Sequence, residues 1–347
     1  MKGRPEMPKW LLLFCVLVVP GCLFDKDPDV VRLSGETMGT TYNITVIGED
    51  LDKGELSAAV EATLKAVNGS MSNWDPNSEV SVFSNATETG AVAISPEFAT
   101  VIDAADQVHR LSNGRFDVTL GPLIELWGFG PRKPEDPVPD DSDIAAALDL
   151  VGQGGLLNLD RKAGTLAKAS PGVGISLGAI AKGYGVDAVA ATLRGFGAED
   201  YMVEIGGDLV TRGQNDQGEA WRIGIEKPET GAQAVQLIVP VSDHGLATSG
   251  DYRNYFEHEG QRFSHILDPV TGRPITHATT SVTVVAEDAM MADGWATAML
   301  VLGSEAGLNV AAEQELAVFF IDRDASGGEA GYITHQSDAF ARIMAGN

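Results

Sequence analysis

Cysteine is nearly absent from this chain. Of 347 residues only Cys15 and Cys22 carry a thiol. Both lie in the first 22 positions, so no disulfide can staple the body of the protein. Basic residues are the second scarcity: 24 Lys and Arg face 49 Asp and Glu, a net charge of −25. Nucleic-acid binding rests on Lys and Arg neutralising phosphates, so nucleic acid is excluded as a partner. Any phosphorylated ligand must instead be held by a local device: a metal ion, backbone amides or a few placed cations. The third absence is a long apolar run. Residues 10–19 form an apolar stretch of ten, too short to span a bilayer, and there is no internal repeat.

What that stretch does have is context. Lys2, Arg4 and Lys9 precede it, the layout of a secretory signal. It leads into Val18-Val19-Pro20-Gly21-Cys22, which resembles a bacterial lipobox, where the cysteine is lipidated and becomes the mature N-terminus. The expected division is a lipoprotein signal peptide over 1–21, a polar tether over 22–34 and a single domain over 35–345. The expected location is the periplasmic side of a bacterial membrane, anchored through Cys22.

Hydrophobic content of 44% with 21% charged residues is ordinary for a globular protein. The β-branched stretch 40–47 predicts a strand. Helical spacing predicts helices over 56–67 and 95–111, the second capped by Ser95 with Pro96 at its first position. Prolines and charges make 131–141 an exposed loop. A long helix is expected over 177–193, then a strand over 201–205, a turn at Gly206-Gly207-Asp208, and strands over 221–226 and 234–241. After a hairpin come a strand over 281–286, helices near 289–301 and 304–314, and a strand over 317–321. Without regular βαβ alternation the class is α+β rather than doubly wound.

The hairpin region 245–274 is the most informative. Phe263, His265 and Leu267 alternate with Ser264 and Ile266, which is strand periodicity and puts His265 on an apolar face. Asp268-Pro269-Val270-Thr271-Gly272 supplies turn chemistry. Asp293 and Thr297, four apart on a helix, send two hard oxygens from one face, donors that suit Mg²⁺ over zinc or copper. The segments 114–122 and 126–130 mix aromatics with glycines, as a site for a flat heterocycle would. The segment 176–184 opens a helix with two glycines and Lys182, a place for phosphate. Taken singly, each has a plainer reading: a core histidine, a solvated helix face, a turn over buried aromatics, a packed helix start.

Their combination is more specific. Thr37-Met38-Gly39-Thr40, Met71-Ser72-Asn73-Trp74 with Ser78, the run 114–122, the run 178–183, Gly206-Gly207-Asp208, Thr248-Ser249-Gly250-Asp251-Tyr252, His265-Ile266-Leu267-Asp268-Pro269 with Thr271-Gly272, and Ala292-Asp293 with Thr297 stand in the order and spacing of the ApbE family. The resemblance spans about 35–303. It implies a single α+β domain related to the T-fold, with mixed helices and antiparallel sheet. The activity it implies is FAD:protein FMN transfer: cleavage of the FAD pyrophosphate, release of AMP, and attachment of FMN to a Thr or Ser hydroxyl through a phosphoester. Implied partners are FAD, Mg²⁺ and an acceptor protein with a target Thr, such as subunits of sodium-pumping NADH:quinone reductase or Rnf complexes. By motif, Met38, Trp74, Arg115, Phe116, Asp117, Ser176, Lys182 and Leu267 are expected to line the flavin site. Ala179, through its carbonyl, with Asp293 and Thr297, is expected to bind Mg²⁺, and His265 to serve in catalysis. Ser176 departs from the family's usual Asp and removes a carboxylate from the ligand shell. Two other activities use the same residues: an FAD pyrophosphatase releasing FMN and AMP, and a non-catalytic FAD-binding lipoprotein.

Overall fold

The computed structural model describes residues 29–346 except 131–137, 230–233, 253 and 325–330. The expected signal peptide, Cys22 and most of the 131–141 loop lie outside the described residues.

One eight-stranded sheet organises the chain. Its strands are β1 (Val30–Thr37), β2 (Thr40–Ile47), β3 (Asp200–Ile205), β4 (Asp208–Arg212), β5 (Gly245–Gly250), β6 (Thr279–Ala286), β7 (Ala317–Arg323) and β8 (Tyr332–Gln336). They stand in chain order and every neighbour is antiparallel. Four long helices accompany the sheet: α1 (Lys53–Met71), α2 (Pro96–Leu111), α3 (Ala181–Gly195) and α4 (Ala289–Glu313). The α+β expectation holds.

Period-2 alternation divides the central strands between two cores. Val282, Val284, Val318 and Phe320 join α2 and α4 in the largest cluster. Val285, Ala317, Phe319 and Ile321 turn the other way. They pack with the hairpin Arg222–Glu226/Val235–Pro240 and the C-terminal helix Asp338–Met344, whose Phe340 is fully buried. A second core joins β1–β3 to α1 and α3. A smaller one gathers Leu123, Trp127, Ile144 and Leu267 beneath the 255–274 hairpins.

Two boundaries differ from expectation. The tether over 22–34 ends earlier, because Val30–Thr37 pairs residue for residue with Thr40–Ile47. Val31 and Leu33 of that strand are buried, and Met38-Gly39 forms its two-residue turn with φ of 50° and 72°. The helix expected from 177 starts at Ala181, since Ser176 and Leu177 spend their amides on Val118 O and Asn73 Oδ1 in an extended stretch. The two helices expected near 289–301 and 304–314 are as read: Gly303, with φ of 73° and ψ of 170°, divides Ala289–Glu313 between them. The Ser95 cap with Pro96 is as read: Ser95 Oγ accepts from the Phe98 amide at 3.1 Å.

Candidate functional site

The site is built where the start of α3, the start of β4 and the first turns of α4 meet. Helix α4 is held there twice. Its own N-cap, Asp288, accepts from the Met291 amide at 2.7 Å. Asp187 on α3 accepts from the amides of Ala289 at 3.0 Å and Met290 at 2.8 Å. Burial, and then the nearby Asp288 charge, push the Asp187 carboxyl up to about 7. The helices approach so closely at Gly183 that a Cβ there would lie 2.2 Å from Ala289 O. Only glycine fits.

This docking aims Asp293 and Thr297 inward. Asp293 is 3% exposed, and its Oδ2 accepts from the Gly183 amide at 3.1 Å. Among the described residues no backbone amide donates to the Ala179 carbonyl. Thr297 Oγ1 lies 3.1 Å from Ser249 Oγ on β5. Lys182 reaches into the same place: its Nζ donates to Asp208 Oδ2 and lies 3.9 Å from Asp293 Oδ1. Asp208 is 1% exposed. Burial raises both carboxyls above the ordinary range, Asp293 further raises Asp208, and Lys182 pulls both back down. Burial also works against the Lys182 charge, but Asp293 and Asp208 outweigh it and hold the ammonium protonated. Two carboxylates against one ammonium leave a buried excess of negative charge, lined by hard oxygen.

The expected flavin residues fall into distinct situations. Trp74 is 78% exposed, yet its loop is rigidly tied. Asn73 Nδ2 donates to Ile175 O at 2.6 Å, and Asn73 Oδ1 accepts from the Leu177 amide at 2.9 Å. The Trp74 loop is therefore tied to the 175–177 segment that carries the half-buried Ser176. Met38 places its thioether on α3, with Sδ 3.3 Å from where a Cβ of Gly185 would lie. Arg115 Nη1 donates to Asp268 Oδ2 at 2.7 Å.

Phe116, Asp117 and Leu267 are buried. Phe116 is 2% exposed in the main core, and Leu267 packs with Leu123, Trp127 and Ile144. The Asp117 carboxylate is engaged internally: Oδ1 accepts from the Thr119 amide at 2.7 Å, and Oδ2 from the Gln153 amide at 2.9 Å.

His265 does not continue a strand. The ladder Tyr255–His258/Gln261–Ser264 stops before it, and Leu267–Asp268 pairs with Arg273–Pro274 after it. At this break the His265 amide donates to Asn254 O at 3.1 Å and its Nδ1 lies 2.9 Å from the same oxygen. A carbonyl only accepts, so Nδ1 carries the proton and the Nε2 lone pair is left available. The ring meets Phe129 edge-on at 6.2 Å between centroids. Burial lowers the pKa below 6.5, against the opposing pull of the Asn254 carbonyl and the Asp251 charge. The imidazole is neutral at pH 7.

Sequence reasoning passed over Asn73 and Asp208, although both lie inside quoted motifs. Their signal was adjacency to Trp74 and to a Gly-Gly turn; their partners lie 102 and 26 residues away.

Comparison with known proteins points to one family. Residues 38–320 match the model of the ApbE family. The FAD:protein FMN transferase of Vibrio cholerae serotype O1 is 43% identical over 91% of this chain and 94% of its own length. That of Haemophilus influenzae is 42% identical over 92% of each. Among solved structures, the flavin transferase ApbE from Vibrio cholerae aligns with a TM-score of 0.82 at 41% identity, covering 90% of this chain and 99% of that one. The apo flavinyl transferase ApbE of Pseudomonas stutzeri aligns with a TM-score of 0.82 at 37% identity, covering 91% and 97%. With the family model matching most of its length and such relatives across nearly the whole domain, the chain belongs to the ApbE family.

Proposed function

We propose that this protein is an FAD:protein FMN transferase that moves FMN from FAD to a Thr or Ser hydroxyl of an acceptor protein. The observation that carries the reading is the cluster of half-buried Lys182 and Thr297 with buried Asp208 and Asp293 at the start of α3. It is a site for pyrophosphate in a chain whose net charge of −25 otherwise repels one.

The residues fit Mg²⁺. Among the described residues no three His, Cys, Asp or Glu side chains gather to hold a metal, so a thiolate or imidazole site is not on offer. Asp293, Thr297 and the Ala179 carbonyl provide oxygen alone, in a place with excess negative charge, as a hard cation prefers. When bound, Mg²⁺ would offset pyrophosphate charge and polarise its oxygens.

The chain's own residues supply the rest. Lys182 offers a permanent positive charge toward phosphate, and the tied Trp74 loop offers an indole face for an aromatic ring. The acceptor hydroxyl attacks the FMN phosphorus, the bond to AMP breaks, and the hydroxyl proton passes to His265 Nε2. No serine or cysteine nucleophile of the chain is needed.

The test is intact-mass and peptide mass spectrometry of an acceptor, such as a sodium-pumping NADH:quinone reductase or Rnf subunit, after incubation with the protein, FAD and Mg²⁺. The expected product is an FMN phosphoester on one Thr or Ser, with AMP in equal amount. Free FMN with an unmodified acceptor would replace transferase by pyrophosphatase. Intact FAD would leave only binding.

The reading includes a lipid anchor through Cys22 on the periplasmic side of a bacterial membrane, motivated by the lipobox-like sequence. Cys22→Ser should release the protein into the soluble fraction with transfer unimpaired. Membrane partitioning equal to the parent's would remove the anchor.

A further inference from the structure

The Lys182 ammonium touches one of two buried carboxylates and stops short of the other. It donates to Asp208 Oδ2 but remains 3.9 Å from Asp293 Oδ1. The three side chains come from three rigid elements: the first turn of α3, the first residue of β4 and the second turn of α4. Asp208 is committed to the ammonium through Oδ2, and the Thr248 amide adds a smaller pull toward its charged form. Asp293 is held by one amide, that of Gly183, on Oδ2, and Oδ1 faces the gap.

We infer that Asp208, to which the motif pattern attaches no role, is a positioning residue that holds the Lys182 ammonium off Asp293 and so keeps Asp293 open to a divalent cation. The inference rests on the metal reading above. Its physical basis is that a half-buried ammonium set between two buried carboxylates pairs with one of them. While Asp208 fills that role, Asp293 keeps its charge for the metal. Without the Asp208 charge, the flexible lysine stem needs to shorten its contact to Asp293 only to the roughly 2.8 Å of a charge-assisted hydrogen bond. A divalent ion would then have to displace an ion pair before binding.

The experiment measures Mn²⁺ binding to the full chain, without FAD, by the electron paramagnetic resonance of free Mn²⁺, with circular dichroism confirming each variant's fold. Asp208→Asn preserves shape and the acceptor for the Thr248 amide while removing the charge. It should bind Mn²⁺ about tenfold or more weakly than wild type, the scale of a close buried charge pair. Adding Lys182→Met to Asp208→Asn should restore binding, because no ammonium remains to cover Asp293. Lys182→Met alone reads the contact from the other side and should bind at least as tightly as wild type. Asp208→Asn binding equal to wild type would overturn the inference. So would a double variant as weak as Asp208→Asn, which would make Asp208 a ligand, or a Lys182→Met variant that loses Mn²⁺. A wild-type protein that binds no Mn²⁺ or Mg²⁺ overturns the metal reading and this inference together. Normal wild-type binding with an unaffected Asp208→Asn overturns this inference alone.

Discussion

Asp293→Ala should lower FMN transfer by about three orders of magnitude or more, the scale of losing the main electrostatic support for phosphoryl chemistry. Among the described residues Asp293 is the carboxylate that faces the gap beside Lys182, while Asp208 is paired with the ammonium. Divalent-ion binding should disappear in the same variant, measured by calorimetry, and excess Mg²⁺ should recover only part of the rate. The substitution also strips the Gly183 amide of its acceptor, which costs about 1–3 kcal/mol of stability. Thermal melting must therefore show a folded variant before rates are compared. Transfer at the wild-type rate by a folded Asp293→Ala protein would end the case for this carboxylate as the metal anchor.

His265→Asn should behave differently. FAD and divalent-ion binding should persist, because nothing in the Lys182–Asp208–Asp293 cluster touches this ring. Transfer should slow by roughly 10²–10⁴-fold, the usual worth of a positioned general base. The pH dependence gives the sharper check. Burial lowers the folded pKa below 6.5, so the base is protonated and idle only in acid. The wild-type rate should rise with pH along a limb centred below that value and be flat through pH 7–8. The variant should lack this limb, and its deficit should shrink toward high pH as the acceptor hydroxyl ionises unaided. A variant that keeps the acid limb unchanged would move the titrating group elsewhere.

These two predictions draw on residues that local pattern makes visible. Asp293 and Thr297 share a helix face because they are four apart, and the structure places Thr297 against Ser249 and Asp293 against Lys182. Ser95 with Pro96 marks a helix start because cap and φ constraints act within a few residues. The eight motifs, in their order, carry the family resemblance in the sequence alone. Boundaries were less legible. The polar stretch around Asp29 hid a strand with only two buried apolar residues, Val31 and Leu33.

Backbone periodicity and capping act over a few residues, so the sequence by itself determined the α+β class, the main strands and helices, the turn after Leu267, and which residue types could meet phosphate and metal. Burial and pairing depend on what arrives from elsewhere in the chain. Tertiary structure alone decided that Phe116 and Leu267 are packed in cores and that the Asp117 carboxylate caps the Gln153 amide. It decided that the strand breaks at His265 and fixes its tautomer through Asn254. It also set Asp208 beside Lys182 and Asn73 across Ile175. No local rule joins Asn73 to Ile175: only the packed sheet and helices bring them together, and the same packing gives the neutral His265 and the Lys182–Asp293 gap their chemistry.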